Sequence, residues 1–288
     1  MDIIIGKTAG FCFGVKRAVE GCLKEFSKSN EKVYCLGELV HNAEVVRQIE
    51  NKGIRIITDI DEIKEENSKL IIRAHGVDKK IYDKAKQKNL NILDFTCPFV
   101  SKIHKIAEEY KEKNYYIFLI GSKTHPEIIG TASHCGNNYS IIENEAETEN
   151  EINKLVKTNF KNLLVITQTT FSTNKLERIE KIIKERIDSN INLVIKNTIC
   201  NATEQRQIET EMLSMQVDFM IIVGGKNSSN TKKLYEIAQK YTESLLIETA
   251  QEIDLTKIKN YSRVGIMAGA STPKKSIESV VEMLNKLC

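Results

Sequence analysis

The sequence predicts an α/β protein built on parallel β-sheets. Short apolar runs alternate with amphipathic helical patterns along all 288 residues. In proteins with this alternation, each helix usually carries the chain from one strand to the next parallel strand. The length is sufficient for two or three compact units.

The individual elements follow, in chain order, from the spacing of the apolar residues. Runs of mainly apolar residues predict seven strands, namely Asp2–Ile5, Lys32–Leu36, Leu70–Arg73, Tyr115–Ile120, Leu163–Thr167, Asp218–Val223 and Arg263–Met267. Apolar residues three or four positions apart predict helices between them. The clearest stripes are Val15, Ala18, Val19, Cys22, Leu23 and Phe26; Phe99, Ile103, Ile106, Ala107 and Tyr110; Leu176, Ile179, Ile182 and Ile183; and Leu234, Ile237, Ala238 and Tyr241. The acidic stretch Glu143–Glu151 is predicted to be an exposed loop.

The composition argues against several classes of protein. A net charge of +3, with charges of both signs mixed, gives no basic stripe for nucleic acid. No apolar run approaches the roughly 18 residues of a membrane span, and the N-terminus does not resemble a secretory signal. The odd count of seven cysteines does not suit a secreted disulfide scaffold. We therefore expect a cytoplasmic protein with reduced thiols, and the absence of any CxxC pair excludes zinc-ribbon and ferredoxin-type local motifs.

Three cysteines each lie just ahead of a predicted helix. Cys12 precedes the first helical stripe, Cys97 precedes Pro98, which suits a first helical position, and Cys200 precedes Asn201. Asn201 and a glutamate three residues later resemble a capping box. The partial positive charge of a helix N-terminus stabilises a thiolate. Three thiolates that converge from these segments would form a metal site with one open coordination position.

The other four cysteines suggest no metal ligation. Cys22 lies on the first helical stripe and Cys35 lies in an apolar run, so both are predicted to be core residues. Cys135 follows a histidine in a polar stretch, and Cys288 is the last residue of the sequence. No role is assigned to either of them.

The spacing of the three candidate ligands leaves the metal open. Cys12, Cys97 and Cys200 are separated by 85 and 103 residues. This roughly even distribution suggests a site on the axis of three similar α/β units. Zinc with three cysteines and a water would suit a hydrolytic enzyme. A [4Fe–4S] cluster with one iron that lacks a cysteine ligand fits the ligand count equally well.

Polar residues follow the predicted strands, where parallel α/β sheets usually bind their ligands. His41, His75 and His125 occupy such positions and could bind a diphosphate or a metal. The loops 224–230 and 269–273 combine glycines with hydroxyl and amide side chains, as anion-binding loops do, although each alone is better explained as a capped helix start. Glu127 could deliver protons beside a partly dry metal centre, whereas in isolation it would be a solvent-facing loop residue.

Taken together, these motifs resemble the 4-hydroxy-3-methylbut-2-enyl diphosphate reductase family. The matching segments run in order over nearly the whole chain, at positions 10–18, 37–42, 73–77, 94–98, 125–131, 168–170, 198–207, 225–230 and 269–273. The resemblance implies three α/β units, 13–97, 98–195 and 1–12 with 196–288, arranged with pseudo-threefold symmetry around a central iron–sulfur cavity. It also implies one [4Fe–4S] cluster per chain, held by Cys12, Cys97 and Cys200, with the fourth iron open to substrate.

The resemblance also implies an activity and a set of substrate-binding residues. The substrate diphosphate would be bound by His41, His75, His125, Ser228, Ser229, Asn230 and Ser271. Glu127 would relay protons and Thr169 would lie close to the allylic hydroxyl, which leaves as water when two electrons arrive. The products would be isopentenyl and dimethylallyl diphosphate.

Electrons would have to come from another protein. The sequence has no GxGxxG dinucleotide fingerprint after a strand, so a ferredoxin or flavodoxin partner is expected. We expect no appended RNA-binding region of the kind that some family members carry. Two alternatives remain at this point: a non-catalytic phosphometabolite-binding or cluster-sensing protein of the same fold, and a zinc hydrolase.

Overall fold

Three four-stranded parallel sheets form the framework of the protein. The computed structural model describes residues 1–27 and 31–287. The strands are β1 (Asp2–Ile5), β2 (Val33–Leu36), β3 (Arg55–Ile57), β4 (Lys69–Ile72), β5 (Asn91–Asp94), β6 (Tyr116–Ile120), β7 (Tyr139–Ile142), β8 (Asn162–Thr167), β9 (Asn192–Ile195), β10 (Phe219–Val223), β11 (Glu243–Ile247) and β12 (Arg263–Ala268). Their orders are β1-β12-β10-β11, β3-β2-β4-β5 and β7-β6-β8-β9, and every pairing is parallel. The predicted α/β fold with three parallel-sheet units is therefore confirmed.

Helices connect the strands in the manner expected of a parallel sheet. They are α1 (Phe13–Ser27), α2 (Ala43–Glu50), α3 (Lys79–Gln87), α4 (Pro98–Glu112), α5 (Pro126–Cys135), α6 (Glu145–Leu155), α7 (Thr173–Arg186), α8 (Asn201–Ser214), α9 (Ser229–Ala238), α10 (Leu255–Ile258) and α11 (Lys274–Leu284). Short 3₁₀ segments occur at Ile60–Glu62, Ala250–Glu252 and Asn285–Leu287. Within the described ranges, no helix has both the length and the apolar character needed to cross a membrane.

The described residues form two compact units. The first comprises Met1–Val19, Val40–Gly53 and Asn201–Cys288, and it contains the sheet of β1, β10, β11 and β12. The second comprises Glu20–Leu39 and Ile54–Cys200, and it contains the other two sheets. The finer three-part division at 13–97, 98–195 and 1–12 with 196–288 stays a prediction.

In the first unit, the central strands β10 and β12 are buried on both faces. One face packs against α11 through Ile221, Ile266 and Val280. The opposite face packs against α9 through Ile222 and Leu234. Strands covered on both sides are continuously apolar, which explains why both central strands are readable in the sequence.

In the second unit, β6 and β8 are covered in the same way. Phe118 and the side chains on its face pack against α6 and α7, with Ile179 at the centre of α7. Leu119 and its neighbours pack against α4 and α5, with Ile103 and Ile128 fully or almost fully buried. The sheet that contains β2 and β4 is covered by α3, where Ala85 is fully buried.

Four local predictions are wrong, and one of them concerns Tyr241, which lies beyond the end of α9 and is 41% exposed. Glu143–Glu151 is not a loop, because Asn144 caps α6 and Thr148 and Ile152 are buried on its inner face. Phe99 does not belong to the buried stripe of α4 and is 44% exposed. Asn201 is the first residue of α8 rather than its cap, so the residue in the capping position is Cys200.

Candidate active site

Glu127 is a buried acid of the second unit whose pKa is strongly raised. It lies in the first turn of α5, behind His125 and Pro126, and is only 2% exposed. Burial raises its pKa to about 7, although hydrogen bonds from Thr169 oppose this shift. A carboxyl group with this pKa can both donate and accept a proton near neutral pH. The alternative of a solvent-facing loop residue is therefore wrong.

Thr169 connects Glu127 to one of the candidate thiols. Its backbone N–H and its hydroxyl donate to the two carboxylate oxygens of Glu127, each at 2.6 Å. Its carbonyl accepts a hydrogen bond from the backbone N–H of Cys200 at 3.1 Å. Thr169 follows β8 and Cys200 precedes α8. Thr169 is thus hydrogen-bonded both to the carboxylate of Glu127 and to the backbone of Cys200.

His125 and His75 lie beside each other, and His125 contacts Glu127. His125 caps α5, and its Nδ1 accepts a hydrogen bond from the backbone N–H of Glu127 at 3.2 Å. In the neutral ring this assigns the proton to Nε2, which is then a hydrogen-bond donor. The ring of His75 lies edge-on to that of His125, with centroids 5.5 Å apart. The two imidazoles are therefore close enough to bind neighbouring oxygens of one ligand.

The backbone of Cys97 is hydrogen-bonded to the residue that precedes His75. Its backbone N–H donates to the carbonyl of Ala74, the residue before His75, at 3.0 Å. Cys97 occupies the N-cap of α4, where its side chain makes no capping hydrogen bond, and Pro98 follows at the first helical position. The second unit therefore brings together six predicted site residues: His75, Cys97, His125, Glu127, Thr169 and Cys200.

The first unit contains the other six predicted residues. Cys12 precedes α1, and its backbone N–H donates to the carbonyl of Ala270 at 3.1 Å. The neighbouring Ser271 donates its hydroxyl hydrogen to the carbonyl of His41 at 3.1 Å. A Cβ at Gly225 would lie 2.4 Å from that same carbonyl oxygen, so the loop after β10 approaches His41 closely.

The start of α9 carries the remaining predicted residues. Ser228 caps the helix by accepting a hydrogen bond from Thr231, and Ser229 is its first residue. Asn230 is 4% exposed, and neither its amide nitrogen nor its amide oxygen has a hydrogen-bond partner among the described residues. An unsatisfied buried polar group costs about 1–3 kcal/mol, which suggests that a ligand supplies the missing partners.

The cysteines fall into two classes. Cys12, Cys97 and Cys200 are partly exposed at helix starts. Cys22, Cys35 and Cys135 are buried, and burial raises the pKa of each thiol to about 12. The prediction that Cys22 and Cys35 are core residues is confirmed, whereas Cys288 lies outside the described residues. Among the described cysteines, only Cys12, Cys97 and Cys200 are both partly exposed and placed at helix starts, which favour a thiolate.

Two further features were not found by the sequence analysis. Arg206 and Glu209 of α8 bind the segment that precedes Cys12. Arg206 lies in a matching motif but gave no signal of what it contacts. The rings of His104 and His134 are stacked, with their centroids 4.2 Å apart. No described hydrogen bond connects this pair to the groups above. Burial, together with the nearby His134, lowers the pKa of His104 to about 4.

Comparison with known proteins gives a consistent result over the whole chain. A 4-hydroxy-3-methylbut-2-enyl diphosphate reductase from Caldanaerobacter subterraneus subsp. tengcongensis is 42% identical over 291 residues, covering 100% of this chain and 98% of that relative. The solved structure of the E-1-hydroxy-2-methyl-but-2-enyl-4-diphosphate reductase from Plasmodium falciparum has a TM-score of 0.90 and 32% identity, covering 99% of this chain and 88% of that one.

A second solved structure extends this likeness. It is the (E)-4-hydroxy-3-methyl-but-2-enyl diphosphate reductase described as the terminal enzyme of the non-mevalonate pathway, with a TM-score of 0.72 and 34% identity over 99% of this chain and 100% of that one. The family model described as LytB protein matches residues 3–285. This chain therefore belongs to the LytB protein family.

Proposed function

We propose that this chain is a 4-hydroxy-3-methylbut-2-enyl diphosphate reductase. The reaction breaks the allylic C–O bond: the substrate takes up two electrons and two protons, and water leaves. Isopentenyl and dimethylallyl diphosphate are the products. The observation that carries the proposal is the connection Glu127–Thr169–Cys200, in which Thr169 is hydrogen-bonded both to a proton-donating acid and to the backbone of a cysteine of the kind that binds iron. The full-length likeness to reductases supports the same conclusion.

Cys12, Cys97 and Cys200 would hold one [4Fe–4S] cluster per chain. Their partly exposed thiols at helix starts fit a thiolate ligand set, and the Cys97 side chain is not used to cap its helix. When bound, such a cluster supplies electrons and an iron with an open position that acts as a Lewis acid. The three buried cysteines lie in the hydrophobic core instead, where burial disfavours the thiolate form of each.

The diphosphate would be bound by His41, His75, His125, Ser228, Ser229, Asn230 and Ser271. Three features support this set. The edge-on imidazoles of His75 and His125 can donate to neighbouring oxygens. The buried amide of Asn230 needs a partner. The start of α9 adds backbone N–H groups and a favourable dipole for an anion. A tightly held diphosphate positions the small reacting end of the substrate.

Glu127 would hold the proton that the leaving hydroxyl needs. Its pKa of about 7 keeps a large fraction of the carboxyl protonated near neutral pH. The hydroxyl of Thr169, 2.6 Å from Oε2 of Glu127, can accept that proton and donate its own to the substrate hydroxyl. The proton therefore passes from Glu127 through Thr169 to an oxygen that departs as water.

The reaction requires an external electron donor. We propose a ferredoxin or a flavodoxin in the cytoplasm, because the sequence contains no dinucleotide fingerprint from which a bound NAD(P)H could reduce the site. Neither a nucleic acid nor a membrane is part of the proposed activity.

The ligand assignment can be tested by iron and acid-labile sulfide analysis after anaerobic purification. Wild-type protein should contain about four of each per chain. Cys12→Ser, Cys97→Ser and Cys200→Ser should each lose most of both. Cys135→Ala, which removes a buried thiol, should retain them. Full cluster content in any of the three serine variants, or zinc without sulfide in the wild type, would contradict the assignment.

A further inference from the structure

Helix α8 holds the segment that leads from β1 to Cys12. The carboxylate of Glu209 accepts hydrogen bonds from the backbone N–H of Lys7 at 2.6 Å and of Thr8 at 2.7 Å. It also accepts one from the Thr8 hydroxyl. Although burial raises the pKa of Glu209, these hydrogen bonds lower it overall. An ionised carboxylate is thus fixed against the backbone of this segment.

Arg206 holds the same segment from one helical turn away. Its side chain is 3% exposed. Its guanidinium donates to the carbonyls of Thr8 at 2.9 Å, Gly10 at 3.0 Å and Ala202 at 3.1 Å. The planar guanidinium has several donors in a fixed geometry, so its three nitrogens can each serve a different carbonyl. Arg206 and Glu209 together therefore fix both donors and acceptors of the segment.

The remaining contacts of the segment complete its restraint. At its start, the N–H of Gly6 donates to the carbonyl of Ile266 at 2.9 Å, and at its end the N–H of Cys12 donates to Ala270. Between them, Gly10 has a φ of 102°, a backbone conformation that residues other than glycine rarely adopt. The segment lies beyond the paired residues of β1, and the contacts from α8 hold the part between these two backbone hydrogen bonds.

We infer that Arg206 and Glu209 are positioning residues for cluster binding, because they fix the segment that presents the Cys12 thiol. This inference rests on the proposed function. Helix α8 begins immediately after Cys200, so one helix both follows one proposed ligand and holds the segment of another. Residues around the ligands of metal sites orient those ligands, and their loss typically weakens metal binding 10- to 100-fold.

The test is the rate at which the anaerobic holoprotein loses iron to a ferrous chelator. Arg206→Lys keeps the positive charge but replaces the planar guanidinium by a single ammonium group. Glu209→Gln places an amide NH₂ opposite a backbone N–H. Both should lose iron at least tenfold faster than wild type. Both should also alter the electron paramagnetic resonance spectrum of the reduced cluster, which a change in overall stability alone would not. The matched control is Glu211→Gln, on the same helix, whose carboxylate accepts from Tyr241 instead and which should behave as wild type.

The outcomes separate this inference from the proposed function. Wild-type protein without iron and sulfide would contradict the proposed function itself. A wild type with a full cluster, and variants that release iron at the same rate with unchanged spectra, would overturn the positioning role. If neither Arg206→Lys nor Glu209→Gln folds, the deciding variant is Thr8→Val. It removes the hydrogen bond from the Thr8 hydroxyl and leaves the charges of Arg206 and Glu209 in place. It should release iron faster while remaining folded, and unchanged release would overturn the inference.

Discussion

At the scale of single residues, the proposed proton transfer depends on one buried acid. Glu127 is almost completely removed from solvent, and its two oxygens are both bound by Thr169. The sequence suggested Glu127 only as a candidate acid, because burial depends on how α5 packs. Its partner Thr169 is 42 residues away, and the hydrogen bonds between them cannot be read from spacing.

Glu127→Gln is expected to bind the diphosphate but to turn over at least tenfold more slowly, because the amide cannot deliver a proton. Steady-state kinetics with a reduced dye should show the loss in kcat with little change in KM. Glu185→Gln, a change at an exposed position of α7, is the matched control and should keep wild-type kinetics. Near-normal turnover of Glu127→Gln would remove this acid from the mechanism.

Glu127 should also make the stability of the wild type depend on pH. Its pKa of about 7 in the folded state lies above its ordinary value of 4.5, so the folded protein binds more protons between these values. The free energy of unfolding therefore falls as the pH rises from 4.5 through 7, by roughly 3 kcal/mol in total. Denaturant unfolding of wild type and Glu127→Gln between pH 5 and 8 should show the variant gaining relative stability with rising pH. If the free energies of unfolding of the two proteins changed with pH in parallel, the raised pKa of Glu127 would be contradicted.

The amide of Asn230 should favour substrate binding without contributing to the stability of the protein. Its amide is buried without a partner, so Asn230→Leu should leave the melting temperature unchanged or raise it, while KM for the diphosphate rises at least tenfold. Thr231→Val removes a neighbouring unsatisfied hydroxyl and should raise stability without changing KM. Equal affinity of wild type and Asn230→Leu for the substrate would show that the amide does not bind it.

At the scale of the elements, the strands that are readable in the sequence are those buried on both faces. All six central strands were predicted, and β1 was the one edge strand predicted with them. The five missed strands are β3, β5, β7, β9 and β11, which all lie at sheet edges. Edge strands carry polar residues, as in the exposed Glu243 at the start of β11, and so lack a continuous apolar run.

The close approach of two loops in the first unit gives a prediction at the same scale. Because a Cβ at Gly225 would lie 2.4 Å from the carbonyl oxygen of His41, Gly225→Ala must displace a backbone segment that carries a proposed diphosphate ligand. We expect KM to rise severalfold with a smaller effect on kcat. In Gly265→Ala the new methyl group would press on the side chains of Met220 and Val217, so this control should lower stability and leave KM unchanged. The same KM in wild type and Gly225→Ala would contradict the proposed role of this loop.

At the scale of the whole molecule, the alternation of strands and helices was sufficient to predict the fold class. The position of the candidate site residues after strands and before helices also followed from the sequence, since a helix follows directly after each of Cys12, Cys97 and Cys200. The contacts between distant segments did not follow from it. The link from Thr169 to Cys200 and the contacts of Arg206 with residues about 200 positions away depend on tertiary packing.

The central claim is that this chain removes the hydroxyl of its substrate by reduction, and the direct measurement is turnover by the anaerobic holoprotein. With 4-hydroxy-3-methylbut-2-enyl diphosphate and a reduced one-electron dye, we expect substrate-dependent dye oxidation and formation of isopentenyl and dimethylallyl diphosphate. Two dye molecules should be oxidised for each substrate molecule, as the balance of the reaction requires. A protein with its full complement of iron and sulfide that oxidises no dye in the presence of substrate would contradict the account.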